Sequence, residues 1–182
     1  MRYRDQPTVE TVQRLSCDTD TAWRYVTDIT LPAQVSTELG GVEWLDGADH
    51  VAVGARFKGH NKHEALGEWE TVCEIVEVEP GRRWVWNVVH PAGVGATWGF
   101  EVEPSSTGSI VRQWARMGPA PSGLTFAITA QPGVAPKLDS IPADYESRLI
   151  KMDFNQSAAQ RDAVLAARTR ESGAAIAYLN VV

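Results

Sequence analysis

The stretch Gly67–Val89, GEWETVCEIVEVEPGRRWVWNVV, reads as two antiparallel strands joined by a tight turn. In its first half Trp69, Thr71, Cys73 and Ile75 alternate with Glu68, Glu70 and Glu74. A period of two is the mark of a strand with one face buried and the other in water. Pro80-Gly81 breaks the run, and the two residue types together favour a turn. Beyond it Trp84, Trp86 and Val88 alternate with Arg83 and Asn87. Both strands thus gather large side chains on one face and charge on the other.

Working outward, breakers space further strands. Gly40-Gly41 precedes VEWL, Gly47 follows it, and Gly54 precedes ARFKGHNK. Turns at Pro91 to Gly95 and Pro104 to Gly108 delimit TWGFEVE and SIVRQWARM. Upstream, Thr8 to Leu15 forms a first strand with Val9, Thr11, Gln13 and Leu15 on one face. Asp18 or Thr19 offers an N-cap oxygen to a helix carrying Ala22, Trp23 and Val26. Pro32 sits early in a second short helical piece, Thr30 to Glu38, where a missing amide proton costs little. The seven strands with such short connections are expected to pair as antiparallel hairpins.

After the last strand, 118–142 is rich in Pro, Gly and Ser and reads as a loop holding a short helix, Ser122 to Ala130. A long helix over 143–180 then carries Tyr145, Leu149, Met152, Gln156, Ala159 and Ala163 at helical spacing. The domain prediction is therefore one α+β unit over 1–182, with 1–7 as an N-terminal tail.

Composition limits the function classes. The 182 residues carry a formal net charge of -6, which argues against a nucleic-acid partner, since such proteins normally show a basic stripe. MRYRDQPTVE lacks the apolar run of a signal peptide, and no stretch approaches the roughly 18 apolar residues of a membrane span. A cytoplasmic protein is expected, with Cys17 and Cys73 reduced and Cys73 buried in a strand.

The order of strand, two short helices, six strands and a long C-terminal helix resembles the helix-grip fold of the START-like (SRPBCC) superfamily, which includes birch-pollen-allergen-like and polyketide cyclase/dehydrase proteins. TAWRYVTDITLPAQVS is similar to the family's segment with a Trp on the first helix followed by a Thr-Asp pair. VEWLDG, VGARFKG, GEWETVCEIVEVEPGRRWVWNV and RMGPAPSGL resemble its polyketide-cyclase-like subgroup. The resemblance implies a seven-stranded antiparallel sheet wrapped around the terminal helix, with an internal cavity. Members include cyclases, carriers and chaperone activators, so the fold alone does not select an activity.

Strand alternation supplies the inner face. It comprises Phe57, Asn61 and His63, then Trp69, Thr71, Cys73 and Ile75, then Trp84, Trp86 and Val88. Trp98, Phe100 and Val102 follow, then Val111, Gln113, Ala115 and Met117. From the helix, Leu149, Met152 and Gln156 complete the candidate ligand-binding set. Two readings stand side by side. The rings fill the space as a packed core, or they wall a cavity and stack on a planar polycyclic or isoprenoid ligand. Asn61, His63 and Gln113 are the candidate catalytic groups, because polar side chains on an apolar face can hold a carbonyl and polarise an enol. The alternative places them at the cavity mouth against solvent.

Other chemistries find little support. His60 and His63 stand three apart on a strand and point to opposite faces, so no metal site is expected. No G-x-S-x-G, G-x-G-x-x-G or P-loop occurs, and no cofactor is expected. Glu68, Glu70 and Glu74 are expected to face Arg83 and Arg112 or Arg116 on the outer, solvated side. Three functions follow as alternatives: a cofactor-free polyketide cyclase or dehydratase, a carrier of a lipid or secondary metabolite, and a protein-interaction domain using the outer sheet. The Ala of the closing helix suits a homodimer surface as well as a lid.

Overall fold

The alternation seen in the sequence becomes a single antiparallel sheet in the computed structural model, which describes residues 8–34, 36, 39–63 and 67–121. Its strands are β1 (Thr8–Leu15), β2 (Leu39–Trp44), β3 (Arg56–His63), β4 (Gly67–Glu79), β5 (Arg83–His90), β6 (Gly93–Ser105) and β7 (Gly108–Met117). Spatially they run β1-β7-β6-β5-β4-β3-β2, so β1 leaves its sequence neighbour and pairs with the last strand. The remaining pairs are successive hairpins. The helices expected over 122–130 and 143–180 lie outside the described residues.

Helix α1 (Thr19–Val26) follows β1. Asp18 is its N-cap, and Oδ1 accepts the Thr21 amide at 2.8 Å. That bond holds the Asp18 carboxyl below its ordinary pKa, because it stabilises the charged form. Ala22 and Val26 are buried, and Ile29 extends the stripe one turn on. The helix lies against β6 and β7.

At Gly40-Gly41 and at Gly93 to Gly95, glycine continues a strand where a turn was expected, and β-bulges absorb the change in register. Within the helical piece expected over 30–38, the described residues hold a 3-10 turn, Pro32–Gln34, and β2 begins at Leu39. Gly40-Gly41 is strand rather than turn, with a register shift between Leu39 and Gly41. Likewise β6 starts at Gly93, four residues before TWGFEVE, and a shift between Val88 and Val89 absorbs the extra length. In β4 a shift between Ile75 and Glu77 leaves Val76 exposed and returns Val78 to the core side opposite Trp84.

On the outer face the acidic partners differ from those expected. Arg83 Nε donates to Glu77 Oε1 at 2.7 Å, its Nη1 donates to Glu101, and Arg112 Nε lies 3.5 Å from Glu101. Glu68 instead pairs with Lys62 at 2.9 Å, and Glu70 with Lys58 and His60 at 3.2 Å each. The registers explain the pairings: Lys62 opposes Glu68 and His60 opposes Glu70 across β3 and β4, while the shift between Ile75 and Glu77 brings Glu77 to the outer face within reach of Arg83. That face also holds an apolar row, Val85–Gly99–Trp114. A Cβ at Gly99 would sit 2.5 Å from the Trp114 ring, and the Arg83 guanidinium lies 5.4 Å from that ring's centroid.

The turn between β6 and β7 packs on the chain leaving β1. Gly108 has φ of 145°, and a Cβ there would meet the Leu15 carbonyl oxygen at 2.2 Å. Gly47 also has positive φ, 79°, but nothing lies within 4 Å of its Cβ position. Gly108→Ala should therefore destabilise the fold by about 2–4 kcal/mol, against about 1 kcal/mol for Gly47→Ala, in urea unfolding. Equal losses for the two variants would remove the argument for a backbone collision.

Candidate functional site

The inner face is assembled by cross-strand rows. One row runs Val78, Trp84, Phe100 and Gln113 across β4 to β7. The next runs Ile75, Trp86, Trp98 and Ala115, and the next Phe57, Cys73, Val88, Ala96 and Met117. Alternation aims each row at the same side of the sheet. Trp84, Trp86, Trp98 and Phe100 are all buried there. Each large side chain taken from water contributes about 1.5–3 kcal/mol, so this face supplies much of the fold's stability.

The rings lie on one another. Trp84 and Trp86 stack with centroids 4.3 Å apart and planes 23° apart. Phe100 lies 6.0 Å from Trp84 and 5.9 Å from Trp86. Phe57 closes one side at 6.4 and 6.3 Å from the same two indoles, and Trp44 meets Phe57 edge-on. Ring faces expected to be open to a ligand are therefore largely occupied by other rings.

Between this face and Val26, Ile29, Pro32 and Leu39 a small apolar cavity remains, about 30 Å³. That is room for about one or two water molecules. Among the sequence candidates, Phe57, Thr71, Cys73, Trp84, Trp86, Phe100 and Gln113 line it. Trp98, Ala115 and Met117 are buried in the adjoining core, and Trp69 is only partly buried. Leu149, Met152 and Gln156 lie outside the described residues, as does the side chain of His63, whose backbone pairs with Gly67.

The opposite wall was not read from the sequence. It comes from Val26, Ile29, Pro32, Leu39 and Val42, with Gly59 from β3. Helical spacing of Ala22, Val26 and Ile29 was the available signal for this wall. At Gly59 the missing side chain makes the space, since a Cβ there would lie 3.0 Å from Thr71 Oγ1 and 3.1 Å from Leu39 Cδ1.

Polar groups in this region divide into two kinds. Asn61, 4% exposed, donates from Nδ2 to Thr71 Oγ1 at 3.3 Å and to the Gly59 carbonyl at 3.4 Å. Gln113, 2% exposed, has neither Nε2 nor Oε1 in a hydrogen bond among the described residues. The Nε1 atoms of Trp84 and Trp86 are buried and unpartnered in the same way, as is that of Trp69. A buried polar group left without a partner costs about 1–3 kcal/mol. Cys73 is the titratable side chain deepest in the wall, and burial pushes its thiol above the ordinary range.

Outside the Asp28–Ile29 corner lies an open cleft of about 350 Å³, walled by Trp23, Trp44, Val51 and Val78 and edged by Asp49 and His50. Asp28 and Ile29 belong to both spaces. Asp28 is fixed there by accepting the Thr30 amide at 3.0 Å and its hydroxyl at 2.7 Å. His60 points away from the cavity, into the outer pairings with Glu43 and Glu70. No group of three or more potential metal ligands occurs among the described residues, and no helix among them is long and apolar enough to cross a membrane.

Comparison with known proteins places this geometry in context. The sequence profile of the polyketide cyclase / dehydrase and lipid transport family matches residues 6–146. A polyketide-cyclase-like protein from Corynebacterium glutamicum is similar in structure, with a TM-score of 0.56 and 22% identity, covering 91% of this chain and 94% of that one. The di-domain ARO/CYC of the steffimycin biosynthetic pathway gives a TM-score of 0.60 at 16% identity, covering 87% of this chain and 50% of that one. Ara h 8.0201 gives 0.57 at 12% identity, covering 88% and 98%. At these identities the likeness establishes the shared Bet v 1-like, helix-grip fold. No curated protein matches the chain.

The two free cysteines test how closed the cavity is. Cys17 is partly exposed and Cys73 is buried with a raised thiol pKa. In the folded protein at pH 8 an aromatic disulfide reagent should modify one thiol rapidly, and the second only as fast as the protein opens. Rapid labelling of both thiols, with Cys17→Ser leaving a fast-reacting Cys73, would mean the cavity stands open.

Proposed function

Because the chain belongs to the polyketide cyclase/dehydrase and lipid transport family, we propose that it encloses a hydrophobic, planar small molecule between the aromatic face of its sheet and the wall of Val26, Ile29, Pro32 and Leu39. The observation that carries this reading is the cavity itself, walled by Phe57, Trp84, Trp86 and Phe100 and completed by a glycine at 59. A space of about 30 Å³ is well short of the roughly 150 Å³ that admits benzene. Uptake therefore parts the Trp84–Trp86 stack, and the ligand replaces ring-on-ring contacts with contacts of the same kind. The outer cleft, which shares Asp28 and Ile29 with the cavity, is the approach.

In the cyclase/aromatase version the cavity holds a reactive poly-β-ketone in the conformation that closes a ring. Orientation alone supplies a large share of such a barrier. Gln113, which lines the cavity, is then the described polar group at hand, with Asn61, bonded to Thr71 of the wall, and His63 as the other candidates from the sequence. The carrier version needs the same enclosure and no acid or base. Cys73, whose proton is held more firmly than usual, favours neither role for itself.

The test is titration of the indole fluorescence with a planar tricyclic quinone, an isoprenoid alcohol and a long-chain fatty acid, followed by circular dichroism of the bound state. Saturable quenching by the quinone, with loss of the exciton couplet of the stacked indoles, is expected. Trp86→Ala should weaken that binding about tenfold or more. If no class of compound binds and the couplet is unchanged, the rings are core and the outer face becomes the functional surface. Given binding, acceleration of ring closure in a poly-β-ketone selects the cyclase, and tight binding without acceleration selects the carrier.

A further inference from the structure

Gln113, Trp84 and Trp86 are each at least 98% buried, all three line the cavity, and none has its side-chain nitrogen or oxygen in a hydrogen bond among the described residues. Trp84 and Gln113 share one cross-strand row, separated by Phe100, and Trp86 stacks on Trp84. The faces of these indoles are taken up by neighbouring rings, while their N–H edges are not. The chemistry on offer is therefore hydrogen bonding in an apolar setting: two indole donors, the two-proton donor Gln113 Nε2, and one acceptor, Gln113 Oε1.

We infer that this trio is a specificity site for the oxygen-bearing edge of the ligand, a phenol or enol, which enters oxygen first and leaves its hydrocarbon body towards the Asp28–Ile29 corner. A hydroxyl matches the set because it donates to Gln113 Oε1 while accepting from an N–H. A plain hydrocarbon or an acyl chain entering tail first leaves four polar atoms unpaired, which disfavours it. The asymmetry is the one that lets a buried polar pair reject an analogue lacking its partner far better than an apolar pocket rejects an extra group. Asn61 is outside this trio, since it does not line the cavity and its Nδ2 already donates to Thr71 Oγ1 and the Gly59 carbonyl.

This inference rests on the proposed enclosure of a planar ligand, and a matched pair of probes separates the two. Dissociation constants of 2-naphthol and 2-methylnaphthalene, of equal shape, are measured by fluorescence on the wild-type chain and on Gln113→Leu. The wild type should prefer 2-naphthol by about tenfold although it is the less hydrophobic compound, and Gln113→Leu should reduce that preference to within about twofold. Because the substitution removes two unpaired polar atoms, the variant should also unfold at a higher temperature when unliganded. In nitrogen-15 spectra, the indole N–H resonances of Trp84 and Trp86, assigned with Trp84→Phe and Trp86→Phe, should move downfield with 2-naphthol and not with 2-methylnaphthalene. Equal affinities for the two probes, or a preference that persists in Gln113→Leu, overturns the specificity site while leaving the cavity. Binding of neither probe overturns the cavity as well.

Discussion

The register of β5, β6 and β7 is the constraint on which the rest of this protein depends. It sets Trp84 beside Phe100 and Gln113, and Trp86 beside Trp98 and Ala115, all on one side of the sheet. A slip of one residue would carry every one of these side chains to the opposite face and bring Arg83, Glu101 and Arg112 inward. Burial of the rings and solvation of the ion pairs therefore select the same register from two sides. The Arg83–Glu77–Glu101 and Arg112–Glu101 contacts add little energy where they are exposed. Their value is in making the alternative register expensive.

Within that register the bulges decide where the walls of the cavity fall. The extra residue near Val76 allows Ile75 and Val78 both to face the core, so the long β4 curves around the aromatic rows and continues towards the outer cleft. At the other end the shift at Val88 lets β6 run from Gly93. Gly118 bonds back to Gly95 there, and Ala120 to Val94, which ties the chain leaving β7 to the start of β6. Sheet curvature, the close approach at Gly59 and the α1 stripe of Ala22 and Val26 together give the face its cover.

A contrast runs through the buried polar groups. Asn61 Nδ2 donates to Thr71 Oγ1 and to the Gly59 carbonyl within the sheet, and the pair reads as part of its framework. Gln113 and the indole nitrogens of Trp84 and Trp86 have no hydrogen-bond partner among the described residues. Leucine at 113 and phenylalanine at the other two positions would fill similar volumes without that penalty. The proposed ligand would supply the partners that these cavity-lining atoms lack.

The sequence by itself determined the seven strands, the inward side of β3 to β7, an N-cap oxygen from Asp18 or Thr19 ahead of α1, and most of the inward rings. All of these follow from period-two alternation and local turn or capping chemistry acting over a few residues. It also singled out Gln113, because a lone amide among apolar neighbours is visible in SIVRQWARM. It misread Gly40-Gly41 and Gly93 to Gly95 as turns, since glycine permits both a turn and an extended strand and only partners across the sheet choose between them. Only the tertiary structure decided that β1 closes on β7, that Glu77 and Glu101 rather than Glu70 hold Arg83, and that the rings stack on one another. It alone showed the wall from Ile29, Pro32 and Leu39 and the space left by Gly59. Each of these depends on which distant residues become neighbours, and alternation along one strand fixes a side chain's direction without fixing what it meets.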